Sequence, residues 1–562
     1  MRETVEGRNG EMMMGKYTDI LKRKKPDRTN EDDPVEALLA ARLRERLRAV
    51  EQKNGKGSRH HIASNMPGIK GDGKHDDTSG IQSLLDEAKK KTNGISLYFP
   101  AGIYKLTATL MIHEGTRIEC HPKAVFHKVH HRGMLKNIEK NSSDNGYEGN
   151  GNITIIGGVW DNNGHRYLGG TSFVFGHAKN LVFRDLTIKD VSPGHGMEIN
   201  SSCNVVIDGC KFIGMAPKKR KLYSEAVQLD LMKSNGVFPW KKSHFDHTPC
   251  QDVMITNCYF GPSERLGSWG RAVGSHSATA DRWHKRIIIA NNIISATLQW
   301  GIRAYSWKDV TITDNIFDGC GAGLSIDPNY YGKNEVDSED MFGNQTNDSN
   351  QVKRVTIQGN HFIKPGTHGS VMSITGDKRH DMLEVSITGN TIEGSASTNA
   401  IFLAHVAQSS LADNIIVGAG KGIKLTATTM VNVTGNIIQS ITETGIEAFT
   451  GNRDLTIANN ALSHVGGHGI WITGNDTTNI SNNRLTGIGA DFESENQGIR
   501  VTSSCNRISI IGNIFSNREP GFQMSCAIYT AACTSNALAI GNNAAGIGLE
   551  LCEGMSASGN IE

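Results

Sequence analysis

Five short segments between residues 196 and 327 carry the residue types that could do chemistry. They are Met197-Glu198-Ile199-Asn200, Val227-Gln228-Leu229-Asp230, Val273-Gly274-Ser275-His276, Ile302-Arg303-Ala304-Tyr305 and Leu324-Ser325-Ile326-Asp327. The first and third places are apolar or small, and the second and fourth are mostly polar, which is the alternation of a strand with one buried face. Stacked in parallel, the strands would form two outward columns: Glu198, Gln228, Gly274, Arg303, Ser325 and Asn200, Asp230, His276, Tyr305, Asp327. Neighbours in a column would be roughly 4.8 Å apart. Glycosidic hydrolysis needs a protonated and an ionised carboxyl about 5 to 9.5 Å apart. Glu198 and Asp230, on adjacent strands in neighbouring columns, would fall in that range, and Asp230 is the first candidate catalyst. Glu225 and Asp281 are alternatives, each on a turn beside the same strands. Elimination instead needs a base for the proton α to a uronate carboxyl and a cation beside that carboxylate. Arg303 with His276 or Tyr305 could supply those. The plain alternative is a row of satisfied surface groups, but the concentration of unlike titratable types favours a site. Gln228 and Asp327 would then line it as substrate contacts.

Long insertions fall where these columns are richest, at 216–225, 234–251 and 262–270. Trp240, Trp269, Trp283, Trp300 and Trp307 make five of the seven tryptophans, all within this stretch. Flat indoles stack on sugar rings and offer contact area at low entropy cost. Any one of them could instead pack a loop, but the cluster predicts a carbohydrate groove at about 195–330. The basic run Lys218-Lys219-Arg220-Lys221 reads either as a solvated loop tip or as a contact to an anionic polymer. With a net charge of +2 and no basic stripe, nucleic acid is not an expected partner. No cofactor is expected. The Asp-rich stretch Gly71-Asp72-Gly73-Lys74-His75-Asp76-Asp77-Thr78 reads as turns and a helix cap rather than a metal site.

The elements that must position these groups are repeats. A strand pattern ending in asparagine recurs at Asn292, Asn315, Asn360, Asn390, Asn414, Asn436, Asn460, Asn483, Asn513 and Asn543. Several steps are 22 to 24 residues, as from 390 to 414 and 460 to 483. That period, with short strands in each unit, predicts an all-β solenoid coil. The asparagine suits a left-handed bend between strands and could bond its copy one coil away. The coils after about residue 400 are rich in Ala, Gly and Thr and read as scaffold. Before the repeats, residues 1–57 form a separate arm, expected to serve attachment or oligomerisation, and residues 58–562 the main domain. In the arm Val35, Leu39, Leu43, Leu47 and Val50 make one apolar stripe that needs a partner. Met1 to Lys25 has no apolar core of a signal peptide, and the chain has no run long enough to span a membrane, so neither secretory export nor membrane insertion is expected. The ten cysteines lack metal-like spacing and read as buried free thiols.

Gly71-Asp72-Gly73 followed by Asp76-Asp77-Thr78 before a helix, then Tyr98-Phe99-Pro100-Ala101-Gly102-Ile103-Tyr104, resembles the opening of the pectate-lyase-like superfamily. Phage tailspikes and many polysaccharide-degrading enzymes begin this way. Ser224 to Asp230, Val273 to His276 and Gly301 to Tyr305 together resemble glycosidase-like β-helix proteins of Gram-positive bacteria and their phages. They are more remotely similar to polygalacturonases, from which the chain departs: the paired aspartates are absent and Gly194-His195-Gly196 comes early in the order. The resemblance implies a right-handed parallel β-helix from about Met66. It implies a tailspike-like depolymerase of a bacterial surface glycan or teichoic-acid-like anionic wall polymer, with hydrolysis favoured over elimination. A homotrimer on a virion tail, joined to tail or baseplate proteins through the arm, goes with it. A non-catalytic receptor-binding fibre using the same groove is the alternative.

Overall fold

The computed structural model describes residues 60–562 apart from 93, 140, 217–223, 235–244, 331–334, 491–495, 503, 532–535 and 562. The N-terminal arm, the basic run at 218–221 and Trp240 therefore lie outside the described residues.

The alternating segments form three long parallel sheets of 18, 16 and 16 strands. Each strand pairs with its counterpart one turn later, so every turn of chain adds one strand to each sheet. His284–Ala290, Ile293–Ser295 and Trp300–Tyr305 are one such turn, contributing to the first, second and third sheets respectively. Valine and isoleucine suit these strands because a branched side chain packs well on a pleated surface. Inward residues stack on their copies. Phe212 lies on Phe260 with ring centroids 5.0 Å apart and Phe317 on Phe362 at 4.5 Å. One helix, Thr78–Asp86, closes the N-terminal end by burying Ile81, Leu84 and Leu85. Asp77 does not cap it with its side chain, contrary to expectation. Its carboxylate instead accepts the Lys70 and Lys105 N–H groups at 2.7 and 3.3 Å, tying the loop to the next strand.

The repeated asparagine forms an internal ladder. Asn292, Asn315, Asn360, Asn390, Asn414, Asn436, Asn460, Asn483, Asn513 and Asn542 each pass one Nδ2–H to the Oδ1 of the next, at 2.9–3.0 Å, and the ladder ends at Asn560. Two expectations are corrected here. The ladder runs through Asn542, not Asn543. The left-handed residue is the one before each rung, such as Asp314 (φ 54°), Gly389 (φ 64°) and Gly435 (φ 69°). That bend turns the rung inward, where its amide meets carbonyls the sheets leave unpaired: Asn390 donates to Ile357 and Thr388 at 3.0 and 3.2 Å. Of the cysteines, Cys120, Cys203, Cys210, Cys250, Cys258, Cys320, Cys505 and Cys526 are buried free thiols, as read from the sequence.

The insertions gather mainly where the third sheet turns into the first. Residues 231–250, 275–283 and 328–352 each separate a third-sheet strand from the next first-sheet strand. In the later coils that passage shrinks to a few residues, as between Ala404 and Val406.

Candidate active site

The third sheet sets the expected first column in full. Glu198 pairs with Gln228, Gln228 with Gly274, Gly274 with Arg303, and Arg303 with Ser325. Gly274 leaves a notch. A Cβ there would stand 3.3 Å from the Glu225 Cγ and 3.5 Å from the Arg303 Cβ, so its absence lets both side chains approach. In the second column Asn200 pairs with Asp230, and Tyr305 with Asp327. His276 is not in that column, because its strand, Arg271–Gly274, ends two residues earlier. Its ring leans over Gln228 (Nε2 to Nε2 3.5 Å), with Nδ1 3.5 Å from the Glu225 Oε2.

These groups point away from the core, yet several are covered, which corrects the expectation of an exposed face. Glu225 and Asp230 are fully buried, and Gln228, Tyr305 and Asp327 nearly so. Inserted residues close over them. The Ser277 hydroxyl donates to the Asp230 Oδ1, which also accepts the Leu231 N–H at 2.9 Å, while Gln228 Nε2 donates to Oδ2 at 2.6 Å. Tyr305 donates to Asp337 at 3.1 Å, and Lys233 binds the other Asp337 oxygen at 2.7 Å. Solvent reaches the site at Glu198, His195, His276 and Arg303, whose side chains are part exposed.

Glu225 lies on a strand, Glu225–Asp230, rather than a turn. Ala226 and Val227 both belong to the core, as do Ala272 and Val273, so the alternation slips there. Glu225 and Arg271 consequently end on the site side, joined at 2.9 Å. Arg271 and His195 are site residues that the sequence reading missed. His195 stacks on His276 with centroids 5.7 Å apart, and its Nδ1 lies 3.2 Å from the Glu225 Oε2. The available signal was Gly194-His195-Gly196. A Cβ at Gly196 would stand 2.5 Å from the Ala226 carbonyl, so only glycine brings His195 this close to the next coil. Asp281 is exposed in a left-handed turn, its N–H bonded to Asn350, and it makes no hydrogen bond or ion pair with the cluster.

Of the tryptophans, Trp269 and Trp307 are fully buried and cannot stack on a ligand, which corrects their assignment to the groove. The Trp269 indole donates to the Phe212 carbonyl at 3.0 Å, and that of Trp307 to Ser275 Oγ at 2.8 Å. Arg265 pins the loop that carries Trp269 inward by pairing with Asp161 and Asp190 at 2.8 and 2.5 Å. Trp300 and Trp283 stay part exposed, the first edge-on to His368 at 4.4 Å and the second beneath the Lys308 ammonium at 4.1 Å.

The charges divide. Burial raises the Asp230 carboxyl above the usual range, against the pull of His276 and its hydrogen bonds. Burial likewise raises Glu198, and the charge of Asp230 adds to that push. Glu225 goes the other way. Burial opposes its ionisation, but His276 and His195 hold it well below the ordinary carboxylate value. Burial also opposes a charge on His276, and the Glu225 carboxylate overcomes it, holding the imidazolium up to about 9. Arg303 is held charged by Asp327 at 2.8 Å despite burial.

A raised histidine value stabilises the fold fully below its unfolded value and loses that contribution as pH climbs through the folded one. The window here runs from 6.5 to about 9. The melting temperature is expected to fall across it, by the equivalent of about 2–3 kcal/mol after allowance for solvent screening. In His276→Gln this fall should flatten; thermal unfolding at a series of pH values checks it, and an unchanged slope would rule the pairing out.

Residues 66–325 match the family described as rhamnogalacturonase A/epimerase, pectate lyase-like, and residues 344–515 match the right-handed β-helix region. The fold is a right-handed parallel β-helix, and its first part matches a pectate-lyase-like family model. The candidate site lies almost wholly within the first of these matches. Plasmin and fibronectin-binding protein A of Streptococcus pneumoniae is 29% identical over 284 residues, 46% of this chain and 39% of that protein. The chain thus matches well under half the length of this relative. The solved structure of the Streptococcus pneumoniae surface adhesin PfbA overlays with a TM-score of 0.49 at 20% identity, covering 81% of this chain and 100% of that one. An exopolygalacturonase of Thermotoga maritima overlays with a TM-score of 0.47 at 13% identity, covering 70% and 96%.

Proposed function

We propose that this β-helix hydrolyses glycosidic bonds of a bacterial surface polymer at the Glu198, Asp230, Glu225 and His276 cluster. The observation that carries the reading is the split in carboxyl behaviour. Two carboxyls on adjacent strands are pushed toward the protonated form, while a third beside them is held ionised. Environments that drive neighbouring titratable groups apart are those that assign acid and base roles. Glu198, which solvent reaches, is placed to protonate a leaving oxygen. Asp230, diagonal to it across one coil, is the essential carboxyl beneath. Cross-strand diagonals of roughly 7–8 Å put this pair within the carboxyl spacing for glycosidic cleavage, in which Asp230 must give up its proton to act as the ionised partner.

Elimination is disfavoured by the same electrostatics. A base must be unprotonated near neutral pH, yet His276 is held as imidazolium to about 9. Tyr305 is pushed upward by burial and by Asp337, to which its hydroxyl already donates. A charged His276 and Arg303 instead offer an anionic polymer two cations. Incubating the protein with purified wall polymers and capsular glycans, and following chain length by size exclusion, tests the reading; every polymer left at full length would sink it.

The second reading is a non-catalytic surface binder. It is favoured by the relative named for binding plasmin and fibronectin, and the same assay with binding retained and no shortening would select it. Carriage on a virion tail as a homotrimer through the N-terminal arm belongs to the proposal, supported by the apolar stripe from Val35 to Val50. Sedimentation of the full chain as a stable monomer would count against it.

A further inference from the structure

The outward column that carries Glu198 and Arg303 continues along the third sheet into coils that read as scaffold. Ser325 pairs with Ser373, Ser373 with Phe402, Phe402 with Lys424, and Lys424 with Glu447. Glu447 then pairs with Trp471, Trp471 with Arg500, and Arg500 with Tyr529. All of these are part exposed except Ser325 and Glu447, which are buried. The side chains organise one another. The Arg500 guanidinium lies between two rings, 5.4 Å from that of Trp471 and 5.2 Å from that of Tyr529. Phe449 and His468 brace Trp471 edge-on at 4.8 and 4.9 Å, and its indole donates to Thr502 at 3.2 Å. Glu447 is neutralised by Lys421 at 2.5 Å and Lys424 at 3.4 Å.

We infer that the Trp471, Arg500 and Tyr529 face is a second binding site, which takes a further stretch of the acidic polysaccharide proposed to be cut at the Glu198 and Asp230 cluster. Three features commit it to that occupant. Trp471 stands on the same column as Glu198, nine strand steps on, or roughly 43 Å along the helix, so one long extended polymer laid on the sheet meets both. Rings fixed by edge contacts offer the flat apolar surface that sugar faces stack on. The Arg500 fork, held between them and bonded to Gln497 through only one Nη, is the group that recognises carboxylate best. A neutral glycan would have no use for it.

This inference rests on the proposed function for the identity of the polymer, but its test does not need turnover. The full chain carrying Asp230→Asn would be run by affinity electrophoresis in gels containing polygalacturonate, alginate or hyaluronan, with dextran as the neutral control. At least one acidic polymer is expected to retard it and dextran is not. Adding Trp471→Ala or Arg500→Gln should weaken the apparent affinity about tenfold, and Trp471→Phe, which keeps a ring, should restore much of it. Unchanged melting temperatures would show that the fold is intact. Retardation by none of the acidic polymers, equal retardation by dextran, or no effect of Trp471→Ala with the fold intact would overturn the second site. Retardation lost in Trp471→Ala, together with a wild-type chain that shortens no polymer, would overturn the hydrolase reading and leave the second site standing.

Discussion

Asp230→Asn is expected to lower polymer cleavage by about three orders of magnitude or more while the protein stays folded and binds polymer. The volume is conserved, and the hydrogen bonds can be rebuilt. Oδ1 would still accept from Ser277 and Leu231. The new Nδ2 would face the Gln228 Nε2, which now donates to the carboxylate at 2.6 Å. Gln228 has a buried Oε1 with no hydrogen-bond partner, so turning its amide over presents an acceptor to Asn. The same turn points Oε1 toward the charged His276 ring. Removing a buried carboxyl whose ionisation is disfavoured also removes a desolvation penalty. The melting temperature near pH 7 is therefore expected to hold or rise as activity disappears. Cleavage assays with thermal unfolding on one preparation check both. Full activity would exclude Asp230 and move the essential role to Glu198 or Glu225; loss of folding would make it a structural residue.

Asn390→Ala is expected to be the more damaging change to stability, by about 3–5 kcal/mol. Asn390 is fully buried in mid-ladder. Its Oδ1 accepts both the N–H and the Nδ2–H of Asn360 at 3.0 Å. Truncation leaves that backbone N–H with no acceptor in a dry interior, and opens a space beside Ile357 and Thr388. Asn560→Ala, at the last rung and part exposed, removes bonds that water can replace and should cost well under 1 kcal/mol. Chemical denaturation of the two variants side by side checks the contrast. Equal losses would mean that the ladder contributes as isolated caps rather than as a continuous internal chain.

Much of this was legible in the sequence. Alternation fixes register, because a one-residue slip would turn every inward side chain out. The column from Glu198 to Ser325 accordingly falls where the pattern puts it. The repeated asparagine announces a ladder, though not that the bend lies one residue earlier. What was lost has a common cause: period-2 reading fails where the chain bends. At Ala226-Val227 and Ala272-Val273 two consecutive residues enter the core, so Glu225 looked like a turn residue and Arg271 went unnoticed. Trp307 follows Ser306, whose left-handed conformation (φ 55°) reverses the facing and sends the indole inward. Covering segments are a second blind spot. That Asp230 points away from the core could be read, but that Ser277 and its neighbours bury it could not.

The placement of the insertions has a consequence for how such a protein can change its target. The segments 231–250, 275–283 and 328–352 leave the coil at one edge and return to it at the next strand. The strand ladders and the asparagine rungs join the coils without passing through these segments, although the segments also bond one another, as Lys233 does Asp337 at 2.7 Å and the Ala280 N–H the Glu339 carbonyl at 2.9 Å. Lengthening one away from its buried anchors, such as Cys250, Ser275 and Val352, therefore adds little beyond the closure entropy of a loop, about 0.6 kcal/mol for each doubling of length. The roof over the candidate-site column can be exchanged while its floor stays in register. New specificities can accordingly arise by replacing whole segments at one edge, with no need to redesign the coil that carries them.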